Sequence, residues 1–302
     1  MVRIGFGWLL FWAAAVWSQE VPVGEITSGK PDGSVITVLI VDGQSNHNWR
    51  ETTPVLKYNL EETGLFEVDV LTAPEKGRSW HDFQPDFGQY DAVVLNYNGS
   101  PWPDEVCQDL ERYVAGGGGL VIYHSANNAF PQWSEYQKMI GVGAWQGRDE
   151  RWGPRLYWEN GQAIRDTTPG KAGKNSPQRI RAISLCEPNH PIVRGFPPRF
   201  MHQADELYEQ LRGPAENVTI LAGAAPDGSD GRRLEPVLMT IAYHQGRVFH
   251  ITYGHAGTQC RSVAFIAPFV RGVQWAALGL VTIPVPPDMP AEERPFSRPI
   301  NP

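Results

Sequence analysis

Residues 116–128 read GGGGLVIYHSANN. Four glycines close off whatever precedes them, and the apolar run at 120–123 suits a strand buried on both faces. The glycine run comes before a strand and lacks a following Lys-Ser/Thr pair, so it is a turn and not a phosphate loop. Polarity then changes abruptly at His124. A side chain just past such a strand stands at a sharp strand-to-helix elbow at the top of a sheet, where hydrolases place a nucleophile. Here His124 takes that place, and Ser125 would be a nucleophile only with the elbow shifted by one residue.

Working outward, VITVLIV at 35–41 is an earlier buried strand, followed by the loop DGQSNHNW at 42–49. A helix is expected over 52–63, with Val55, Leu56 and Leu60 as its stripe and Gly64 near its end. Strands are expected at 66–71 and 92–95, then a helix at 104–115 with Val106, Leu110, Tyr113 and Val114 on one face. Later strands fall at 181–186, 218–222, 237–244 and 247–253, the last two joined by a tight turn at Gln245-Gly246. A closing helix lies within 261–278; Pro268 fits its first turn, so the helix proper is expected to start near Ile266. This alternation predicts an α/β fold, a mostly parallel sheet with helices on both faces plus a C-terminal hairpin. Ligands of such sheets bind at the carboxyl ends of strands, which directs attention to 42–49, 96–102 and 124–130.

Composition narrows the class. Of 302 residues 41% are hydrophobic, too many for a disordered chain, and 33 acidic against 26 basic residues disfavour a nucleic-acid binder. Cys107, Cys186 and Cys260 are too few and too scattered for a disulfide framework or a Cys-rich zinc site. Residues 1–18 read as a signal peptide: Arg3, an uncharged stretch at 4–17, then Val16 and Ser18 at the −3 and −1 positions of a cleavage site. That stretch is shorter than the roughly 20 residues a spanning helix needs, no Cys follows for a lipoprotein anchor, and no later stretch spans a membrane. A secreted or periplasmic protein is expected. The chain divides into 1–18, a leader linker at 19–34, a domain at 35–280 and a Pro-rich tail at 281–302. Within the domain, 141–178 is a Trp-rich insertion or long loop.

His47, His124, His190, His202 and His255 fall at strand ends or in loops, and imidazoles there can move protons or hold metal. His250 alternates with Phe249 and Ile251 along a strand. In MHQADELY (201–208) the adjacent Asp205 and Glu206 point different ways, so at most one lines a site. The residues taken as catalytic are His124 as general acid or base, His255 or His47 as its partner, and Asp205 or Glu206 orienting a histidine or binding hydroxyls. Those taken as substrate-binding are Asn98, Trp102, Asn127, Trp133, His202 and Tyr208. Loop tryptophans (102, 133, 145, 152 and 158) offer flat faces that suit sugar rings, although each taken singly is better read as core. There is no H-E-x-x-H and no C-x-x-C. No organic cofactor is expected; a divalent metal stays open, since dispersed ligands such as His47, Asp205 and His255 can meet in space.

Seven segments in order carry a resemblance: VLIVDGQSNHNW (38–49), YDAVVLNYN (90–98), GGGGLVIYHSANNAF (116–130), NHPIVRGF (189–196), DELYEQL (205–211), GRVFHITYGH (246–255) and RGVQWAALG (271–279). From about 35 to 280 the chain resembles the ThuA-like (trehalose utilisation) family. The resemblance implies a flavodoxin-like fold of the class I glutamine amidotransferase type and a role in carbohydrate use, including pathways through 3-keto sugars. Related amidotransferases carry an elbow Cys; this chain has His124 there and none of its cysteines fits, so glutaminase activity is not expected. The expectation is an exported enzyme acting on a sugar or 3-keto-sugar by histidine-mediated isomerisation, elimination or hydrolysis. The alternatives are a non-catalytic carbohydrate-binding partner of a sugar dehydrogenase and a metal-dependent hydrolase.

Overall fold

The computed structural model describes residues 30, 32–291 and 294–299. The expected signal segment at 1–18 lies outside them. No helix among the described residues is long and apolar enough to cross a membrane. In chain order the elements are β1 (Ile36–Asp42), α1 (Trp49–Glu61), β2 (Phe66–Thr72), β3 (Ala92–Leu95), α2 (Asp104–Ala115), β4 (Gly119–Tyr123) and α3 (Ser134–Ile140). Then come β5 (Arg155–Glu159), β6 (Gln162–Asp166), β7 (Lys174–Asn175), β8 (Arg179–Leu185), β9 (Arg199–Asp205) and β10 (Tyr208–Glu209). The chain closes with β11 (Val218–Ala224), β12 (Arg233–Tyr243), β13 (Gly246–Ile251), α4 (Gly257–Cys260) and α5 (Val263–Leu278).

The central sheet runs β2-β1-β3-β4-β13-β12-β11-β8-β9. Its first five strands are mutually parallel, and from β13 outward every pairing is antiparallel. The parallel strands have helices on both faces, which is why β3 and β4 are buried throughout. Val55, Leu56 and Leu60 of α1 pack with Phe265, Phe269 and Val273 of α5 over one face. Val106, Leu110 and Val114 of α2 join Tyr136, Met139 and Ile140 of α3 on the other. A Cβ on Gly119 would lie 2.6 Å from the backbone of Ala276, so glycine at the start of β4 lets α5 lie directly on the sheet.

Four details differ from the sequence expectation. Helix α1 starts at Trp49, three residues early, and encloses Pro54 in its second turn. Helix α5 starts at Val263 and encloses Pro268. Proline has no N–H to offer the carbonyl four residues back. That carbonyl, Ala264 O, accepts instead from the Tyr253 hydroxyl at 2.8 Å, so the interior proline is compensated and ties the end of β13 to α5. The β12–β13 hairpin turns at His244-Gln245, because Tyr243 faces Gly246 in the ladder, and His244 takes φ +50°.

The fourth difference is the insertion. Its central part is a hairpin, β5–β6, that attaches to β12, and β7 pairs with β10. Buried Arg148 fixes the front of this segment: its guanidinium donates to the carbonyls of Asn128, Ala129 and Ala144 and to Gln137 Oε1. The described part of the tail wraps the surface. Val281, Ile283, Val285 and Met289 pack on the α5 side of the core, and Val263 N donates to Phe296 O. All three cysteines are free.

Candidate functional site: a cluster of three histidines and a glutamate

The carboxyl ends of β1, β4 and β13 and the turn between β9 and β10 bring His47, His124, His255 and Glu206 together. One ligating atom from each lies within 4.8 Å of all the others. His124 Nε2 is 3.2 Å from His47 Nε2 and 3.4 Å from Glu206 Oε1. Glu206 Oε1 is 3.7 Å from His47 Nε2 and 2.9 Å from His255 Nδ1.

Each member is oriented by its surroundings. His124 opens a short 3₁₀ turn (His124–Asn128) with φ +45°, a conformation that costs a non-glycine residue on the order of 1–3 kcal/mol. Its Nδ1 lies 2.7 Å from the Thr252 carbonyl, which can only accept, so Nδ1 carries the proton and Nε2 is a bare lone pair in the neutral ring. His47 repeats the pattern. Its Nδ1 donates to Asn46 Oδ1 at 2.9 Å, an oxygen that also accepts from Asn98, and its Nε2 is left facing the cluster. The Tyr208 hydroxyl lies 3.0 Å from His124 Nε2 and stacks ring on ring with it.

The electrostatics follow from this crowding. Burial pushes the Glu206 carboxyl up, but the three imidazoles of His124, His255 and His47 gathered around it outweigh this and hold the group far below the carboxylate range. Burial lowers His47 and keeps it neutral, whereas the Glu206 hydrogen bond raises His255. Burial and the neighbouring carboxylates hold the Tyr208 hydroxyl well above its usual range, hence protonated.

Glu206 alone of the two adjacent carboxylates enters the cluster. Asp205 turns away and accepts from Gly254 N (2.7 Å), Glu206 N (2.8 Å) and His202 Nε2 (2.9 Å). Burial opposes its ionisation, but His202 and these partners hold it below the ordinary range. Asp205 therefore braces the backbone on either side of two cluster members, and His202 stands behind it. Asn127 is buried behind the site, its amide on His250 Nε2 at 3.2 Å.

A cavity of about 340 Å³ opens over the cluster, lined by Asn46, His47, Asn98, Asn128, Trp145, Gln146, Asn175, Glu206, Tyr208 and His255. Asn98 and Tyr208 are thus at the cavity. Trp102 and Trp133 are not: Trp102 is packed among Phe83, Tyr97 and Phe130, and Trp133 stacks on Tyr136 and bonds Glu111. His190 is also remote, against Trp275. The tryptophan at the cavity is Trp145, edge-on to Tyr208 at 4.7 Å. Sequence reading missed Asn46, Asn128, Gln146 and Asn175. The first two adjoin singled-out residues, but Gln146 and Asn175 belong to the insertion, whose fold carries no periodic signal.

The donor spacing is informative. Four ligands at about 2.0–2.1 Å from one ion stand roughly 3.3 Å apart, the edge of a tetrahedron. The four stated distances, 2.9–3.7 Å, scatter around that edge. Two bare imidazole nitrogens 3.2 Å apart beside a carboxylate oxygen form a concentration of lone pairs that a cation would satisfy. The residues present therefore fit a divalent ion, and each buttressed imidazole has the outer partner that metal-bound histidines use.

Comparisons with known proteins agree with the fold. A ThuA-like protein from Parabacteroides merdae superposes with a TM-score of 0.84 at 39% identity, over 88% of this chain and 98% of that one. A ThuA-like protein from Bacteroides uniformis superposes at 0.52 and 14% identity, over 82% and 94%, which shows the fold alone. The carbohydrate deacetylase Agd3 superposes at 0.50 and 11% identity, covering 82% of this chain and 33% of that one. None of the curated proteins matches the sequence. The profile of the ThuA family, described as trehalose utilisation, matches residues 37–276, and the chain belongs to that family.

Proposed function

We propose that this protein is a divalent-metal-dependent enzyme acting on a sugar or 3-keto-sugar, with His47, His124, His255 and Glu206 holding the ion. The observation that carries the reading is the convergence of three imidazole nitrogens and one carboxylate oxygen within 4.8 Å of one another. The family points to carbohydrate use, and a cavity walled by carboxamides and one tryptophan suits a polyhydroxylated ring.

When bound, the ion would supply Lewis acidity to a carbonyl or hydroxyl oxygen of the sugar. The side chains do the rest. Tyr208, kept protonated by burial, is placed to donate a proton or hydrogen bond to an oxygen beside His124. Trp145 lines the cavity beside it, edge-on to the Tyr208 ring. His124, read from the sequence as a general acid or base, is in this account a ligand fixed by Thr252.

A second reading rests on one contact. The Glu206–His255 pair at 2.9 Å, with His255 the most exposed of the cluster, could serve as an acid–base couple without metal. Isomerisation of a keto-sugar with and without chelator separates the two: loss of turnover on chelation and its return with zinc or manganese supports the metal, whereas chelator-resistant turnover supports the couple. Export, from the character of 1–18, and a dehydrogenase that makes the carbonyl complete the proposal.

A further inference from the structure

A second cavity, of about 960 Å³, adjoins the one over the cluster. Asn46, Asn98 and Gln146 line both, so the two are compartments of one cleft. Asn46 and Asn98 bond each other reciprocally: the Asn46 N–H donates to Asn98 Oδ1 at 3.1 Å, and the Asn98 amide donates to Asn46 Oδ1 at 2.5 Å. That pair fixes the edge the compartments share. The second compartment also lies where the strand order reverses. Strand β1 connects through α1 to β2 on one side and β3 through α2 to β4 on the other, with α1 and α2 on opposite faces of the sheet. In open α/β sheets, ligands settle in the crevice outside such a switch point. Here it opens between residues 44–46 after β1 and 98–101 after β3. A Cβ on Gly99 would stand 2.2 Å from that of Gln44, so glycine lets these two loops meet.

We propose that the second compartment is a subsite for a sugar unit joined to the reacting ring, so that the substrate is a glycoside lying across Asn46, Asn98 and Gln146; this rests on the carbohydrate reading of the cluster cavity. At about 340 Å³ the cluster cavity is near the lower end of small-molecule sites, which run from roughly 300 to 1,000 Å³, so a substrate of two rings must extend out of it. The groups of the second compartment are within a ligand's reach: Asn46, Arg50, Lys76 and Gln146 are exposed, and Trp49 and Ser100 are half-buried. Carboxamides, a hydroxyl and an ammonium offer both donors and acceptors to ring hydroxyls. The Trp49 indole, with the Arg50 guanidinium 4.1 Å from its ring centre, adds an aromatic surface suited to sugar C–H groups. An apolar aglycone would find only Trp49, Ala73 and Pro101 on this wall, and Glu75, 3.9 Å from Arg50, opposes an anionic one.

The test is titration calorimetry of the full-length protein with glucose, methyl α-glucoside, trehalose, maltose and cellobiose, on wild type, Trp49→Ala and Ser100→Trp. At least one disaccharide should bind wild type about 10–100-fold more tightly than glucose, with methyl α-glucoside close to glucose. Ser100→Trp puts bulk into the second compartment while keeping the main-chain bonds of residue 100 to Gln44 and Tyr97, and should remove most of that preference. Trp49→Ala should reduce it by about 3–10-fold. Thermal melts confirm that the variants are folded. Equal binding of glucose and every disaccharide by wild type, or a preference that the folded variants keep, overturns the subsite while leaving the carbohydrate reading in place. Wild type that binds none of the probes overturns both.

Discussion

The Nδ1 proton of His124 is held by the carbonyl of Thr252, 2.7 Å away and three residues before His255. The strand end that delivers one cluster member thus fixes the ring of another. A side chain at φ +45° would otherwise gain little from that conformation. His124→Gln should therefore lower metal affinity by on the order of 100-fold or more, since it removes a ligand and its outer partner together. Competition against a chromogenic chelator measures this; unchanged affinity would mean that His124 is not a ligand.

Metal binding should depend on pH with a definite sign. His255 is raised above the ordinary imidazole range by its hydrogen bond to Glu206, so a proton must leave before it can bind an ion. Glu206 is ionised far below this range and contributes no proton. Apparent affinity should fall as pH drops, approaching tenfold per pH unit for each proton displaced once the pH lies below the raised value of His255. Calorimetry in buffers of different ionisation enthalpy reads the number of protons released, and zero release contradicts the role given to His255.

His250 predicts a stability effect apart from the site. It is wholly buried between Asn127 and the Ile140 carbonyl, and burial lowers it to about 4. Below pH 6.5 the unfolded chain takes up a proton that the folded chain refuses, so stability falls from there toward pH 4. Between pH 7 and pH 5 this amounts to about 2 kcal/mol. Urea unfolding of wild type and His250→Gln at both pH values isolates it: the variant should lose less than wild type over that interval, and equal losses would remove the attribution.

Gly119→Ala should be destabilising despite its small size. The added Cβ would stand 2.6 Å from the Ala276 backbone, which cannot rotate away as a side chain can. A cost of about 2 kcal/mol or more is expected, read as a lower urea midpoint with an unchanged slope. A neutral result would show that α5 can lift from the sheet freely.

The parallel half of the sheet was legible because its strands are short apolar runs followed at once by polar loops, as at Tyr123-His124. His47, His124, Glu206 and His255 could be singled out for the same reason: each sits just past a strand, where side chains must project over the sheet edge. Their convergence could not be read, since it depends on β13 pairing beside β4 across a span of more than a hundred residues. The insertion was opaque because its strands are held by β12 and β10 and by Arg148, with no periodicity of their own. Trp102 and Trp145 show the limit for aromatics: both follow strand or helix ends, yet a ring of Phe83, Tyr97 and Phe130 claims the first, while the second is left at the cavity.

The central claim is that His47, His124, His255 and Glu206 hold one ion. Elemental analysis of the purified full-length protein after dialysis into metal-free buffer and reloading with zinc tests it most directly, alongside Glu206→Gln. The account predicts close to one zinc per chain in wild type and a loss of most of it in the variant. Substoichiometric zinc in wild type, or equal retention by Glu206→Gln, would contradict it.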